Sequence, residues 1–297
     1  MNLTANASGV RETPDDDFVV LAHRGVHPHW KGGLRYLLNS CEASRILPPK
    51  HTYIENTIES VAAAFSMGAS MVEIDVRQTA DDRLILFHDE RLECRTNGTG
   101  RVRDRDLGYL HTLDAGYGYT PDNGKTYPYR GKGLGKIPTL RHLLTSFPDR
   151  NFLIDHKDRT QKSAGILSNL LADIPGINRR SISYWGPENL LRQIQEACPG
   201  IRRMYPTRKQ RRRWTARYLL TFGILDFPPE AEGLVFTIAP RYRKFIRGWP
   251  DYFNRKVRKA GGKHYMMVNT PEEVNKAKQL AVDGIVTDYI ELVGEYI

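Results

Sequence analysis

Cysteine is scarce in this chain: Cys41, Cys94 and Cys198 are the only three in 297 residues, far apart and without a CxxC pair. So sparse and odd a set offers no zinc framework and suits a reducing compartment, which sets the expectation of a cytoplasmic protein. Long apolar runs are missing too, and no stretch approaches the roughly 20 residues that span a bilayer. The opening MNLTANASGVRETPDDD has no apolar h-region, so residues 1–17 read as a disordered polar tail rather than a signal peptide. The Asn-x-Ser/Thr triplets at Asn2, Asn6 and Asn97 then carry little weight, because glycosylation needs the secretory route. Acids are in deficit, 34 Asp and Glu against 44 Lys and Arg, for a net charge of +10 and a pI near 9.5. That bias favours anionic partners: phosphate substrates, anionic lipid or nucleic acid.

What is present belongs to an ordinary folded chain, 40% hydrophobic and 26% charged. Strand-like runs fall at residues 18–22, 71–76, 84–87, 152–156, 181–184, 201–204, 264–268 and 284–287. Helical patterns cover 58–67, 139–147, 161–173, 187–198 and 272–280, the last opened by Thr270 as N-cap with Pro271 behind it. Strands alternating with helices over this length predict an α/β protein, a TIM (β/α)8 barrel with a parallel sheet. One link breaks the pattern, since residues 77–83 are too few for a crossover helix. Either that unit has lost its helix or one strand is misassigned. Residues 26–54 and 91–136 read as loop-rich insertions, the second after the third strand, within one domain spanning 18–297.

The polar residues gather at strand ends. In a strand over 71–76, Glu73 and Asp75 share a face, where two carboxylates in apolar surroundings repel one another unless a cation joins them. Asp155 and Lys157 share a face in the same way. His23 and Arg24 close the first strand, and His88 and Asp89 follow the third. In a parallel barrel these C-terminal ends meet at one mouth. Oxygen ligands from Glu73, Asp75 and Asp155 select one hard divalent cation, Mg²⁺ or Ca²⁺. His23 and His88 suit general acid and base duty, while Arg24 and Lys157 suit an anion, a phosphodiester first of all. The inventory predicts metal-assisted cleavage of a phosphate ester. Taken singly, each residue has a plainer reading: a satisfied histidine, solvent-facing acids, an Asp89 that caps a turn. The Gly-rich YRGKGLGKIP lacks P-loop spacing, and His27, His29 and His51 read as surface histidines.

HRG at 23–25, ENT at 55–57, GASMVEIDVRQTADDRLILFHDE at 68–90, TNGTGRV at 96–102, IPTL at 137–140 and VDGIVTDY at 282–289 together resemble the glycerophosphodiester phosphodiesterase family. HRG alone is a weak signal; the ordered set is a strong one. The resemblance implies a TIM barrel with an insertion after the third strand, His23 and His88 as the catalytic pair, and Glu73 and Asp75 as metal ligands. Asp155 stands where the family usually has glutamate, and Lys157 matches its phosphate-side lysine. Glu55, from the ENT motif, joins Arg24 and Lys157 as a candidate substrate residue. The linker from HRG to ENT is long here, and Ile54 replaces the usual proline. Near Val268 the family often carries an aromatic; here HYMMVN offers Tyr265 or Met266 to the substrate wall.

The implied reaction is hydrolysis of glycerophosphodiesters to sn-glycerol 3-phosphate and an alcohol. Its rivals are lysophospholipase D action, a course giving a cyclic phosphate, and an idle basic barrel that binds phospholipid or RNA. The basic, aromatic stretch 208–253, with Trp214, Tyr218, Trp249 and Phe253 as anchors, predicts peripheral docking on anionic membrane. Nucleic acid is the weaker partner, since no recognised binding motif accompanies the charge.

Overall fold

A computed structural model describes residues 18–31, 41–238, 243 and 245–297. The expected polar tail, with Asn2 and Asn6, lies outside the described residues. β1 (Val19–His23), β2 (Met71–Gln78), β4 (Asn151–His156), β5 (Ile182–Trp185), β6 (Arg202–Arg203), β7 (Val235–Thr237), β8 (Lys263–Met267) and β9 (Gly284–Thr287) form a curled parallel sheet. Their order is β6-β5-β4-β2-β1-β9-β8-β7. Between the two outer strands, the Val235 N–H donates to Met204 O at 2.7 Å, drawing the sheet toward closure as a TIM-like barrel.

The expected third strand is not a barrel stave. β3 (Leu84–Leu86) runs antiparallel to β2, with Val76 opposite Leu86. A tight turn joins them, the Thr79 N–H donating to Arg83 O at 2.9 Å. A hairpin needs only a few residues where a parallel crossover needs a dozen, so the short link at 77–83 marked a misassigned strand. β4 takes the third place in the barrel. The missing stave is β7, three residues that were too few for the sequence pattern to show.

Strand alternation divides the core. Val20, Ala22, Val72, Ile74 and Phe152 face outward to α1 (Ile58–Ser66), α3 (Leu140–Ser146), α4 (Gln161–Asp173) and α5 (Glu188–Ala197). Leu21, Leu153, Val235, Tyr265 and Val286 pack inside the barrel. The second insertion, which contains the short α2 (Leu107–His111), is not loose. Leu92, Tyr119, Tyr129 and Ile137 bury against Ile54, Ile85 and Phe87 as a separate small core. Thr57, Thr139, Thr160 and Thr270 cap four helices through their side chains, the last of these being α8 (Pro271–Gln279).

Two further expectations are overturned. Cys41 and Cys94 are joined in a disulfide, and only Cys198 is free. The chain folds these cysteines together from two insertions, a proximity that sequence spacing did not reveal. The proposed membrane anchors are core residues: Trp214 and Tyr218 on α6 (Arg208–Leu220) and Phe253 on α7 (Asp251–Lys259) are buried around Phe236, with Trp249 packed beside them. Among the described residues, no helix is long and apolar enough to cross a membrane.

Candidate active site

β1 carries Leu21 into the barrel and, two residues on, His23 to its mouth. The chain then bends sharply: Arg24 sits at φ 57° and Gly25 at φ 77°. A Cβ on Gly25 would lie 2.3 Å from Ser60 Oγ and 2.9 Å from the Ser60 carbonyl oxygen, so glycine is required there. The bend turns Arg24 back under the mouth, where its Nε lies 3.1 Å from Asp75 Oδ2 and its Nη1 2.9 Å from Glu42 Oε2.

β2 and β4 pair in register, Asp75 beside Asp155, while Glu73 sits beside His23 of β1. Candidate ligand oxygens of Glu73, Asp75 and Asp155 all fall within 4.8 Å of one another, and all three residues are buried. Lys157 Nζ reaches Asp75 Oδ1 at 2.7 Å and Asp155 Oδ2 at 2.5 Å. Asn56, also at positive φ (57°), donates to Asp75 Oδ2 at 2.8 Å and accepts from the Asp75 N–H at 3.0 Å. Burial first, then the Asp75 carboxylate, pushes Glu73 up to about 8. Burial acts upward on Asp75 as well, but Arg24 and Lys157 overcome it and hold that carboxyl well below the usual range. Glu73 Oε1 and Asp155 Oδ1 are buried without a hydrogen-bond donor among the described residues. Such orphaned carboxylate oxygens, close together, fit a divalent cation.

Two imidazoles flank this cluster. His23 Nδ1 is 2.8 Å from Asp288 Oδ1, and its Nε2 is 3.8 Å from Glu73 Oε2. His88 Nδ1 is 2.7 Å from Asp89 Oδ1. An ionised carboxylate only accepts, so each Nδ1 carries the proton of the neutral ring and each Nε2 is left for chemistry. Burial and Arg24 act downward on His23, but Glu73 and Asp288 outweigh them and the net shift is upward. On His88, burial and then Arg24 prevail, and the shift is downward.

A layer of ion pairs supports the site from the insertions. Arg95 is buried, with Nη2 2.6 Å from Glu42 Oε2 and Nε 3.0 Å from Asp89 Oδ2. Glu55, expected beside substrate, lies beneath this layer: Arg95 and Arg24 pair with it, and Tyr119 Oη donates to it at 2.9 Å. On β8, Tyr265 packs inside the barrel, whereas Met266 points outward into the core beneath the helices. Met267, 38% exposed, is the residue on Tyr265's side at the mouth. Beyond Lys157, a cavity of about 280 Å³ is lined by Arg77, Arg103, Asp158, Arg159 and Thr160.

The structure thus brings His23, Arg24, Glu73, Asp75, His88, Asp155 and Lys157 together. Sequence reasoning placed Asp89 at the mouth without a role, and named no role for Asp288, Asn56, Glu42 or Arg95. Asn56 lies within the ENT motif, and Asp288 directly follows β9, two residues beyond Val286, which points into the barrel.

The profile of the glycerophosphoryl diester phosphodiesterase family matches residues 44–292. The chain belongs to that family. It is therefore a phosphoric diester hydrolase acting on glycerophosphodiesters. YhdW of Bacillus subtilis, whose name marks it provisionally as a glycerophosphodiester phosphodiesterase, is 28% identical over 255 residues, 80% of this chain and 90% of that one. A human lysophospholipase D is 24% identical over 261 residues, 80% of this chain and 79% of its own length. The structure of an Oleispira antarctica phosphodiesterase in complex with the product sn-glycerol-3-phosphate superposes with a TM-score of 0.61 at 19% identity, covering 94% of this chain and 96% of that one. At that identity the likeness shows the fold.

Proposed function

We propose that this family member hydrolyses soluble glycerophosphodiesters to sn-glycerol 3-phosphate and an alcohol at the mouth formed by His23, Glu73, Asp75, His88 and Asp155. One observation carries the reading: two imidazoles, each fixed through Nδ1 by a carboxylate, flank a buried three-carboxylate cluster. Arg24 and Lys157 bring positive charge to the same space for the phosphate. The Nε2 atoms of His23 and His88 divide the proton work: one, on a neutral ring, takes a proton from the attacking oxygen, and the other, on a ring protonated at both nitrogens, delivers its Nε2 proton to the leaving alcohol as its P–O bond breaks. Asp288 and Asp89 hold the two rings in the required tautomer. A divalent cation on Glu73, Asp75 and Asp155 would draw charge from the phosphate oxygens. The all-oxygen donor set favours Mg²⁺ or Ca²⁺ over softer metals.

A second reading shares the site. Acceptance of an acyl chain gives lysophospholipase D action, and attack by the glycerol hydroxyl gives a cyclic phosphate. The likeness to a human lysophospholipase D over 80% of this chain favours keeping that substrate class in the test. Lipid-derived substrates also support peripheral contact with an anionic membrane, whereas only the net charge speaks for nucleic acid. The Cys41–Cys94 disulfide weighs against the expected cytoplasmic location and supports an oxidising compartment.

Incubation with glycerophosphocholine and with lysophosphatidylcholine, with and without chelator, followed by product identification, tests the reading. Free choline and sn-glycerol 3-phosphate from the first substrate, lost on chelation, are expected. Choline with lysophosphatidic acid from the second marks the lysophospholipase course, and no product from either overturns the assignment.

A further inference from the structure

With Trp214 and Tyr218 buried, α6 turns the rest of its surface to solvent. That surface carries Arg208, Lys209, Arg211, Arg212, Arg213 and Arg217 and no acid, and none of the six pairs with a carboxylate among the described residues. Where the helix ends, the exposed residues become apolar: Leu219 and Leu225 are 45% and 46% exposed, Phe222 and Ile224 66% each, and Leu220 80%. Large aliphatic and aromatic groups do not gather in water at this density without a reason.

The backbone adds a second sign. Phe222 stands just past the helix C-terminus at φ 50°, a left-handed position that glycine or asparagine normally fills and that strains a bulky side chain. The fold therefore holds an exposed phenyl ring at a conformational cost.

The tip also has a defined place. Tyr218 Oη donates to Arg247 O at 3.0 Å, and Tyr252 Oη donates to Gly223 O at 2.9 Å. The residues that follow the tip run along the last turns of α7 toward the start of β8: Lys256 Nζ donates to Ile224 O at 2.8 Å and to Asp226 Oδ1 at 2.6 Å. α6 returns the chain from the end of β6 to the start of β7, so its tip lies toward the N-terminal end of this parallel barrel, away from the mouth at His23, Glu73 and Asp155.

We propose that the tip of α6, Leu219 to Leu225 with its flanking arginines, docks on an anionic lipid bilayer by the face of the barrel away from the site mouth, which leaves the mouth open to dissolved substrates. This stands independently of the substrate reading above and replaces the buried aromatics with a different set of anchors. Cations without counter-charge match anionic headgroups, and the aliphatic tip matches the acyl boundary. A solution polyanion such as RNA accounts for the arginines but leaves five exposed apolar side chains without a role.

The test is co-sedimentation with vesicles of phosphatidylcholine containing phosphatidylglycerol and with vesicles of phosphatidylcholine alone. The parent is expected to pellet with the anionic vesicles, and less so as salt rises. Phe222→Asn with Ile224→Ser is expected to weaken that partition roughly tenfold or more, since two apolar anchors are lost. Asparagine suits the positive φ, so this variant keeps its fold, and its turnover of dissolved glycerophosphocholine should equal the parent's. Arg212→Glu with Arg213→Glu is expected to remove the preference for anionic vesicles. No pelleting by the parent, or equal pelleting by the Phe222→Asn, Ile224→Ser variant, overturns the docking surface while leaving the activity untouched. Capture of an RNA oligonucleotide without vesicle binding also overturns it. Vesicle binding by a parent that hydrolyses neither substrate would instead sink the activity reading and leave the docking surface standing.

Discussion

His23 donates through Nδ1 to Asp288 Oδ1 across 2.8 Å, joining the end of the first barrel strand to the end of the last. The pair explains why a histidine at a strand end is a working group here. Its ring cannot rotate without losing a charge-assisted bond, so Nε2 stays aimed at the cluster around Glu73. His23→Ala or His88→Ala should lower turnover by roughly 10²–10⁴, the worth of a positioned proton donor or acceptor. Asp288→Asn should cost less, about ten- to a hundredfold, with KM little changed, because the imidazole remains but its tautomer is no longer fixed. Steady-state kinetics on glycerophosphocholine decide it. Near-parental turnover by His23→Ala or His88→Ala sinks the role of that residue.

The cluster of Glu73, Asp75 and Asp155 leads to an expectation about cation removal. The barrel core of Leu21, Leu153 and Val286 lies below the cluster and does not depend on it. Chelation should therefore abolish turnover while the far-ultraviolet circular dichroism spectrum stays constant. Asp155→Asn should raise the Mg²⁺ or Ca²⁺ concentration needed for half-maximal activity, about tenfold or more, since one charged ligand becomes neutral. Turnover that survives exhaustive chelation contradicts the assignment.

Much of this was legible in the sequence, and the reason is alternation. β2 and β4 are long enough for the period of two to place Glu73, Asp75, Asp155 and Lys157 on one face. Their assembly then followed from one topological rule, that parallel strand ends share a mouth. The failures came where local pattern ends. β7, of three residues, is too short to show a period. Glu42 and Arg95 meet across two insertions, and no local rule brings residues 53 apart in sequence to 2.6 Å. Trp214 and Tyr218 had the right spacing for a helix face, but spacing alone cannot say whether that face meets lipid or core. Basic neighbours pulled the reading toward lipid; burial around Phe236 reversed it.

The disulfide stands directly behind that ion pair. Cys41 precedes Glu42 and Cys94 precedes Arg95, so the crosslink fixes the two loops that carry the support beneath Arg24. Closing a loop of 53 residues contributes about 4 kcal/mol in the chain-entropy account. Cys41→Ser with Cys94→Ser should lower the unfolding midpoint by roughly 5–10 °C. Reductant should lower the parent's midpoint similarly and leave the double variant unmoved. A parent insensitive to reductant over long incubation would show that the bond does not form in solution.

A last expectation concerns acid and the far side of the barrel. His264 is fully buried, its Nδ1 2.7 Å from Asn254 Oδ1, its Nε2 without a partner among the described residues, and its ring set against Trp249 and Phe253. Burial pushes it down from 6.5 to about 4. Protonation would place a charge on Nε2 in an aromatic pocket with no acceptor, so the folded state keeps the ring neutral. The unfolded chain takes up that proton as pH falls below about 6.5, while the folded chain refuses it until about 4. Stability from this group is thus complete above the unfolded value and is lost progressively through that window, of order 1–3 kcal/mol in all. Urea unfolding midpoints at pH 7.5 and 4.5 should fall further for the parent than for His264→Gln, whose side chain does not titrate. Other buried histidines add to the absolute slope, so the difference between the two proteins is the readout. Parallel slopes would mean that His264 does not stay neutral in the folded core.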